Sequence, residues 1–154
     1  MYIPFLSKKK EFFTDAEKRQ IVDAIQSAER QTSGQVRVFV ESRCRFVDPL
    51  DRAVEVFASL KMDQTPDHNG VLVYVAIKDR QLALYGDQGI HTKVGDAFWN
   101  DKVKLILSHF DKANYAHGLV HIVIEIGEVL GKYYPYDKNA GGANDLPDDI
   151  VFGK

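Results

Sequence analysis

Residues 69–90 read NGVLVYVAIKDRQLALYGDQGI, and this stretch decides the fold. Residues 70–77 (GVLVYVAI) are apolar on both faces, the mark of a strand covered by structure on each side. Lys78, Asp79 and Arg80 leave room only for a tight turn, and residues 81–85 (QLALY) return as a second strand. So short a link forces an antiparallel hairpin, because a parallel partner needs a long crossover. The glycines of residues 86–90 (GDQGI) close it with a specially shaped backbone.

Upstream, Val36, Val38 and Val40 alternate with Gln35, Arg37, Phe39 and Glu41, which predicts another strand. Asp48-Pro49 starts a helix, with Asp as N-cap and Pro at the first helical position, where its missing N–H costs nothing. Leu50, Ala53, Val54, Phe57 and Leu60 supply the apolar stripe of that helix, and a polar loop with Pro66 follows over residues 63–69. Strand, helix and strand together form a β-α-β unit, which is right-handed in nearly all cases. Further back, Thr14-Asp15-Ala16-Glu17 is a capping box, and Ile21, Ile25 and Ala28 continue at helical spacing until Gly34.

Downstream, one helix is expected from about residue 96 to 110 and another from about 115 to 133, ended by Pro135. The second is apolar around most of its circumference and should be the most buried. Residues 136–154 read as a loop-like acidic tail, although Ile150-Val151-Phe152 argues that it docks on the domain. The expected fold is therefore α/β: a small mixed sheet between helices, in one domain, with residues 1–13 as an N-terminal extension.

Composition narrows the function classes. Twenty Lys and Arg against 22 Asp and Glu give a formal charge of −2, which provides no basic face for DNA or RNA. The single cysteine, Cys44, excludes an intrachain disulfide and a zinc site built on several thiolates. The apolar region of residues 119–130 is interrupted by His121, Glu125, Gly127 and Glu128, so no transmembrane segment is expected. The basic run of residues 8–10 follows the first apolar stretch, the reverse of a secretory signal. A cytoplasmic monomer is the expectation.

The hairpin has a chemical consequence. Antiparallel pairing sets the start of its first strand beside the end of its second, so Asp67 and Asn69 should lie near Asp87. The tail adds Asn144, Asp145, Asp148 and Asp149, preceded by glycines that let it fold back. Calcium takes six to eight oxygen ligands in irregular geometry, and loops rich in Asp, Asn and carbonyls suit it. Magnesium is a second candidate, and would retain several waters. The opposing reading is ordinary: Asp beside Gly is turn chemistry, and acidic tails are commonly solvated. No EF-hand loop, nucleophile elbow, P-loop or dinucleotide fingerprint is present. His117 and His121 share a helix face but lack the H-E-x-x-H acid, and Cys44, though flanked by Arg43 and Arg45, has no histidine nearby in sequence.

At these segments the chain resembles the TPM domain family. The matching stretches are TDAEKRQIVDAI (residues 14–25), AERQTSGQVRV (28–38), NGVLVYVA (69–76) and GDQGI (86–90). The ending NDLPDDIVFG (144–153) is similar to that of the short, stand-alone bacterial members. The resemblance implies a three-layer α/β/α sandwich and divalent-metal binding, chiefly calcium, at loops around the sheet end. It also implies acid phosphatase activity, attributed to the thylakoid branch linked to photosystem II repair. Metal binding carries over to Asp87 and the tail aspartates Asp145, Asp148 and Asp149; Asp67 joins the candidate set from the hairpin geometry alone. Three functions compete. The first is a metal-responsive module in which calcium orders the tail and alters a surface for an unidentified protein partner. The second is a metal-assisted phosphatase, for which His91 and Lys93 are the only cationic candidates just after Asp87. The third is a metal-free interaction scaffold.

Overall fold

The computed structural model describes residues 12–44, 47–110, 115–136 and 149–153. Helix α1 (Asp15–Glu29) leads into strand β1 (Gln35–Glu41), and helix α2 (Pro49–Ser59) carries the chain over to strand β2 (Gly70–Ala76). A 3-10 turn (Met62–Gln64) sits between α2 and β2. Strand β3 (Gln81–Gly86) follows, then helices α3 (Gln88–Phe110) and α4 (Tyr115–Tyr133), and the short strand β4 (Val151–Phe152).

Local chemistry sets the helix starts. The Thr14 hydroxyl accepts from the Glu17 amide at 3.1 Å while the Glu17 carboxylate accepts from the Thr14 amide at 2.9 Å, the reciprocal capping box. Asp48 accepts from the Asp51 amide at 3.3 Å with Pro49 opening α2.

The sheet has the order β3-β2-β1-β4. β1 pairs parallel to β2 with Gln35 opposite Gly70 and Glu41 opposite Ala76, and β2 pairs antiparallel to β3 with Val71 opposite Gly86. β4 joins the other edge of β1 in parallel, Val151 opposite Phe39. Helices α1, α3 and α4 cover the face bearing Val36, Val38, Val71, Val73 and Leu84. Helix α2 and the 3-10 turn cover the face bearing Phe39, Leu72, Tyr74 and Ala83. This is an α/β/α sandwich with a mixed sheet, and among the described residues no helix is long and apolar enough to cross a membrane.

Two features depart from the sequence reading. The residues 86–90 read as a loop in fact open a helix at Gln88, which breaks at Gly95 (φ 80°) and resumes. Glycine alone adopts that backbone without strain, so Gly95 divides one apolar pattern into two short helical pieces. The docked part of the tail is a strand: Val151 and Phe152 pair with β1, and the Gly153 amide donates to the Val40 carbonyl at 2.7 Å. A strand of two residues is too short to show alternation.

Candidate functional site

Because β3 runs against β1 and β2, its last residues lie at the end where those strands begin. The Asp87 amide donates to the Gly70 carbonyl at 2.9 Å, which fixes Asp87 beside the loop that precedes β2. In that loop His68 sits in the left-handed region (φ 51°), uncommon for a side chain with a Cβ. Its Nδ1 lies 3.1 Å from Asp87 Oδ2; a carboxylate only accepts, so Nδ1 carries the hydrogen. The Gln88 amide donates to Asp87 Oδ1 at 2.8 Å. Asp87 is nearly buried, with a side chain 12% exposed, whereas Asp67 is exposed on the rim.

Gly89 explains how the loops close on each other. A Cβ there would run into the Asp67 and His68 carbonyl oxygens, so only glycine lets the first turn of α3 meet residues 67 and 68. Tyr134, just past the end of α4, completes the junction, its hydroxyl donating to the Gly89 carbonyl at 2.8 Å. Burial, reinforced by the Asp67 charge, pushes the Tyr134 hydroxyl above the usual tyrosine range. Burial likewise raises Tyr85, with the Asp87 charge adding to it.

Asn69, the residue after His68, is 1% exposed. Its Nδ2 donates to Ser33 Oγ at 3.4 Å, its amide donates to Thr65 Oγ1 at 3.2 Å, and Oδ1 has no hydrogen-bond partner. An unpaired buried acceptor is costly, about 1–3 kcal/mol, and rare enough in native folds to demand a reason. Among the described residues no Lys or Arg pairs with Asp67 or Asp87.

A second polar arrangement adjoins this one. Trp99 Nε1 donates to His91 Nδ1 at 3.0 Å, which leaves the His91 Nε2 hydrogen toward Asp96 Oδ1 at 3.3 Å. The tail also starts from this end of the sheet. The Tyr136 amide donates to the Gln31 carbonyl at 3.2 Å, and the Thr32 hydroxyl donates to the Tyr134 carbonyl.

The loops bearing Asp67, His68 and Asn69 thus meet the loop bearing Asp87. Asp145 and Asp148 lie outside the described residues. Asp149 is exposed and precedes β4 on the edge of the sheet opposite β3. At about 4.8 Å per strand spacing, three spacings set it roughly 14 Å from Asp87 across the sheet. Ligands of one calcium lie about 5 Å apart at most, so Asp149 cannot share an ion with Asp87 in this arrangement. Among the described residues no cluster of three or more His, Cys, Asp or Glu side chains is placed to hold a metal. The donors fit a hard cation in kind, being oxygens without competing lysines; in number they leave most of its shell to other groups. Sequence reasoning missed Tyr134, an aromatic at a helix end that reads as packing. It also missed the role of His68, whose left-handed backbone has no local sequence signal.

The TPM domain matches residues 6–129. The BA42 protein from the psychrophilic bacterium Bizionia argentinensis, solved by NMR, is 43% identical over 96% of this chain and 99% of its own, with a TM-score of 0.84. The N-terminal domain of cg2496 from Corynebacterium glutamicum is 15% identical, covers 79% of this chain and 74% of its own, and has a TM-score of 0.58. An N-terminal domain from P. gingivalis is 18% identical, covers 80% of this chain and 79% of its own, and has a TM-score of 0.60. These last two share the fold alone. No functionally curated protein matches. On the span of the domain match and the likeness to BA42, the chain belongs to the TPM domain family.

Proposed function

We propose that this chain binds a divalent cation, calcium or magnesium, where β1 and β2 begin and β3 ends, and acts as a metal-responsive binding module. The observation that carries the reading is the pairing of two kinds of unmet demand. Asp67 and Asp87 stand on abutting loops without a Lys or Arg partner among the described residues, and Asn69, in the same loop as Asp67, carries a buried, unpaired Oδ1. A hard cation answers both, since it neutralises carboxylates and accepts amide oxygens as ligands. Asp67, Asp87 and Asn69 would hold it, and the His68 contact would orient the Asp87 carboxylate much as partners outside a coordination shell orient a metal ligand. Asp145 and Asp148 are the tail groups left to add to these.

Response to the metal follows from the same residues. Without a cation, carboxylates on neighbouring loops repel; with one, the contact between residues 67–69, the start of α3 and Tyr134 tightens. The tail begins two residues beyond Tyr134, whose hydroxyl closes that junction. A ligand shifts such an equilibrium only by its differential affinity for the two arrangements, and the added charge supplies it.

Calorimetric titration of calcium, and separately magnesium, into chelator-treated protein tests the proposal. Saturable heat in the wild type, lost in Asp87→Asn and retained in Asp149→Asn, is expected. Absence of heat with both cations, or equal binding by Asp87→Asn, would overturn it.

A further inference from the structure

The opposite end of the sheet holds a cleft of about 630 Å³, lined among others by Glu41, Ser42, Arg43, Arg52 and Lys78. It lies where β1 ends and β2 gives way to the hairpin turn, roughly 20 Å from Asp87 along the seven residues of β1. In open α/β sheets, ligand crevices form outside the carboxyl ends of parallel strands. Here the cleft opens beside the carboxyl ends of the parallel strands β1 and β2, on the side that carries α2.

Of the two carboxylates lining this cleft, Glu41 is spent inside the protein, and the exposed Glu55 is tied through one oxygen to Arg52, while Arg43, Arg52 and Lys78 keep donors to spare. Glu41 is 8% exposed. Its carboxylate accepts from Arg52 Nε at 2.9 Å, from Arg52 Nη2 at 3.0 Å, and from the Tyr74 hydroxyl. Burial pushes the Glu41 carboxyl up, but the hydrogen bonds from Arg52 and Tyr74 and the guanidinium charge outweigh it and hold it below the usual carboxylate range. Arg52 Nη1 also donates to Glu55 Oε1 at 3.1 Å. Each terminal nitrogen of Arg52 keeps a second N–H beyond these bonds, on a guanidinium held in place by the fork.

Asp79 does the same for Arg43, accepting from its Nη1 at 3.1 Å while the other carboxylate oxygen takes the Cys44 amide at 2.7 Å. The remaining N–H groups of Arg43 are uncommitted among the described residues. Lys78 is tied down by its backbone, whose amide donates to the Ser42 carbonyl at 2.7 Å, and its ammonium has no ion-pair partner among the described residues. Guanidinium forks and a loose ammonium around one hollow form a receptor for planar or tetrahedral oxygens. The volume falls in the range of small-molecule sites, well beyond that of a lone ion.

We propose that this cleft binds a small molecule through an oxyanionic group, phosphate or carboxylate, held by Arg43, Arg52 and Lys78. The site is separate from the cation site at the other end of the sheet, and its test does not depend on metal.

The experiment is a titration of the whole chain with inorganic phosphate, and separately with succinate. It is followed by NMR at the Arg43 and Arg52 Nε–H groups and the Ser42 and Lys78 amides, with sodium chloride as the ionic-strength control. Saturable shifts at these groups, with affinity about tenfold weaker in Lys78→Ala and unchanged in Lys104→Ala, are expected for loss of one charge-assisted contact. Response to phosphate alone assigns the ligand a phosphoryl group, response to succinate alone a carboxylate, and response to both an oxyanion of either kind. Lys78 is exposed, so its truncation leaves the fold intact, and Arg43→Ala serves as a second variant. Shifts that sodium chloride reproduces, no response to either probe, or affinity undiminished from wild type in both cleft variants would overturn the proposal.

Discussion

Removing the Tyr74 hydroxyl tests how the sheet tolerates a carboxylate in its interior. Tyr74 is fully buried on the α2 face of β2, stacked on Phe39 with ring centroids 6.1 Å apart, and its hydroxyl donates to Glu41. Tyr74→Phe keeps the ring and its packing and deletes one hydrogen bond to a charged acceptor. Such bonds contribute about 1.5–3 kcal/mol, and Arg52 still covers Glu41 from two nitrogens, so about 2 kcal/mol is expected. For a domain of 154 residues that corresponds to a Tm lowered by roughly 4–8 °C.

The sign of the pH dependence follows from Glu41. Its folded-state pKa is depressed, so its stabilisation is present above the unfolded carboxylate range and is lost as pH falls through the folded value. The Tyr74→Phe penalty should therefore be full at neutral pH and shrink on acidification below the usual carboxylate range. Urea unfolding of both proteins from about pH 7 down to about pH 3 measures it. A penalty under about 0.5 kcal/mol at neutral pH, or one that grows on acidification, would refute the reasoning.

Other consequences are independent of that network. Gly127 packs α4 on α1 so closely that a Cβ would sit 2.5 Å from the Ala28 Cβ; Gly127→Val should cost about 1–3 kcal/mol or more by forcing the helices apart, read by thermal melting. Asp48→Ala removes the cap of α2 and should cost about 1 kcal/mol in urea unfolding. Asp67→Asn should lower the pH at which Tyr134 ionises, because one of the influences raising it is the Asp67 charge. Ultraviolet difference titration against a Tyr134→Phe blank checks the direction.

The layers were legible because their signals are local. The doubly apolar run of β2, the tight turn after it and the two helix caps each fit within a few residues; the hairpin and caps formed as expected, with Ile77 joining the turn rather than the strand. What escaped depends on distant parts of the chain. Glu41 reads as an outward polar residue in an alternating strand, yet it is buried because Arg52 and Tyr74 converge on it from elements α2 and β2. The start of α3 was hidden by glycines that normally signal a loop, and β4 by its length. At the candidate site, the meeting of the Asp67 and Asp87 loops follows from hairpin geometry. The orphaned acceptor on Asn69 and the closure by Tyr134 follow from packing that no spacing rule encodes.

The central claim is tested most directly by calcium titration of chelator-treated, isotope-labelled protein, followed at backbone amides. The account predicts saturable shifts first at residues 67–69 and 86–89 and at Tyr134, with Arg43 and Lys78 at the far end of the sheet unaffected. Uniform small shifts across the surface, or saturable shifts confined to other loops, would contradict it.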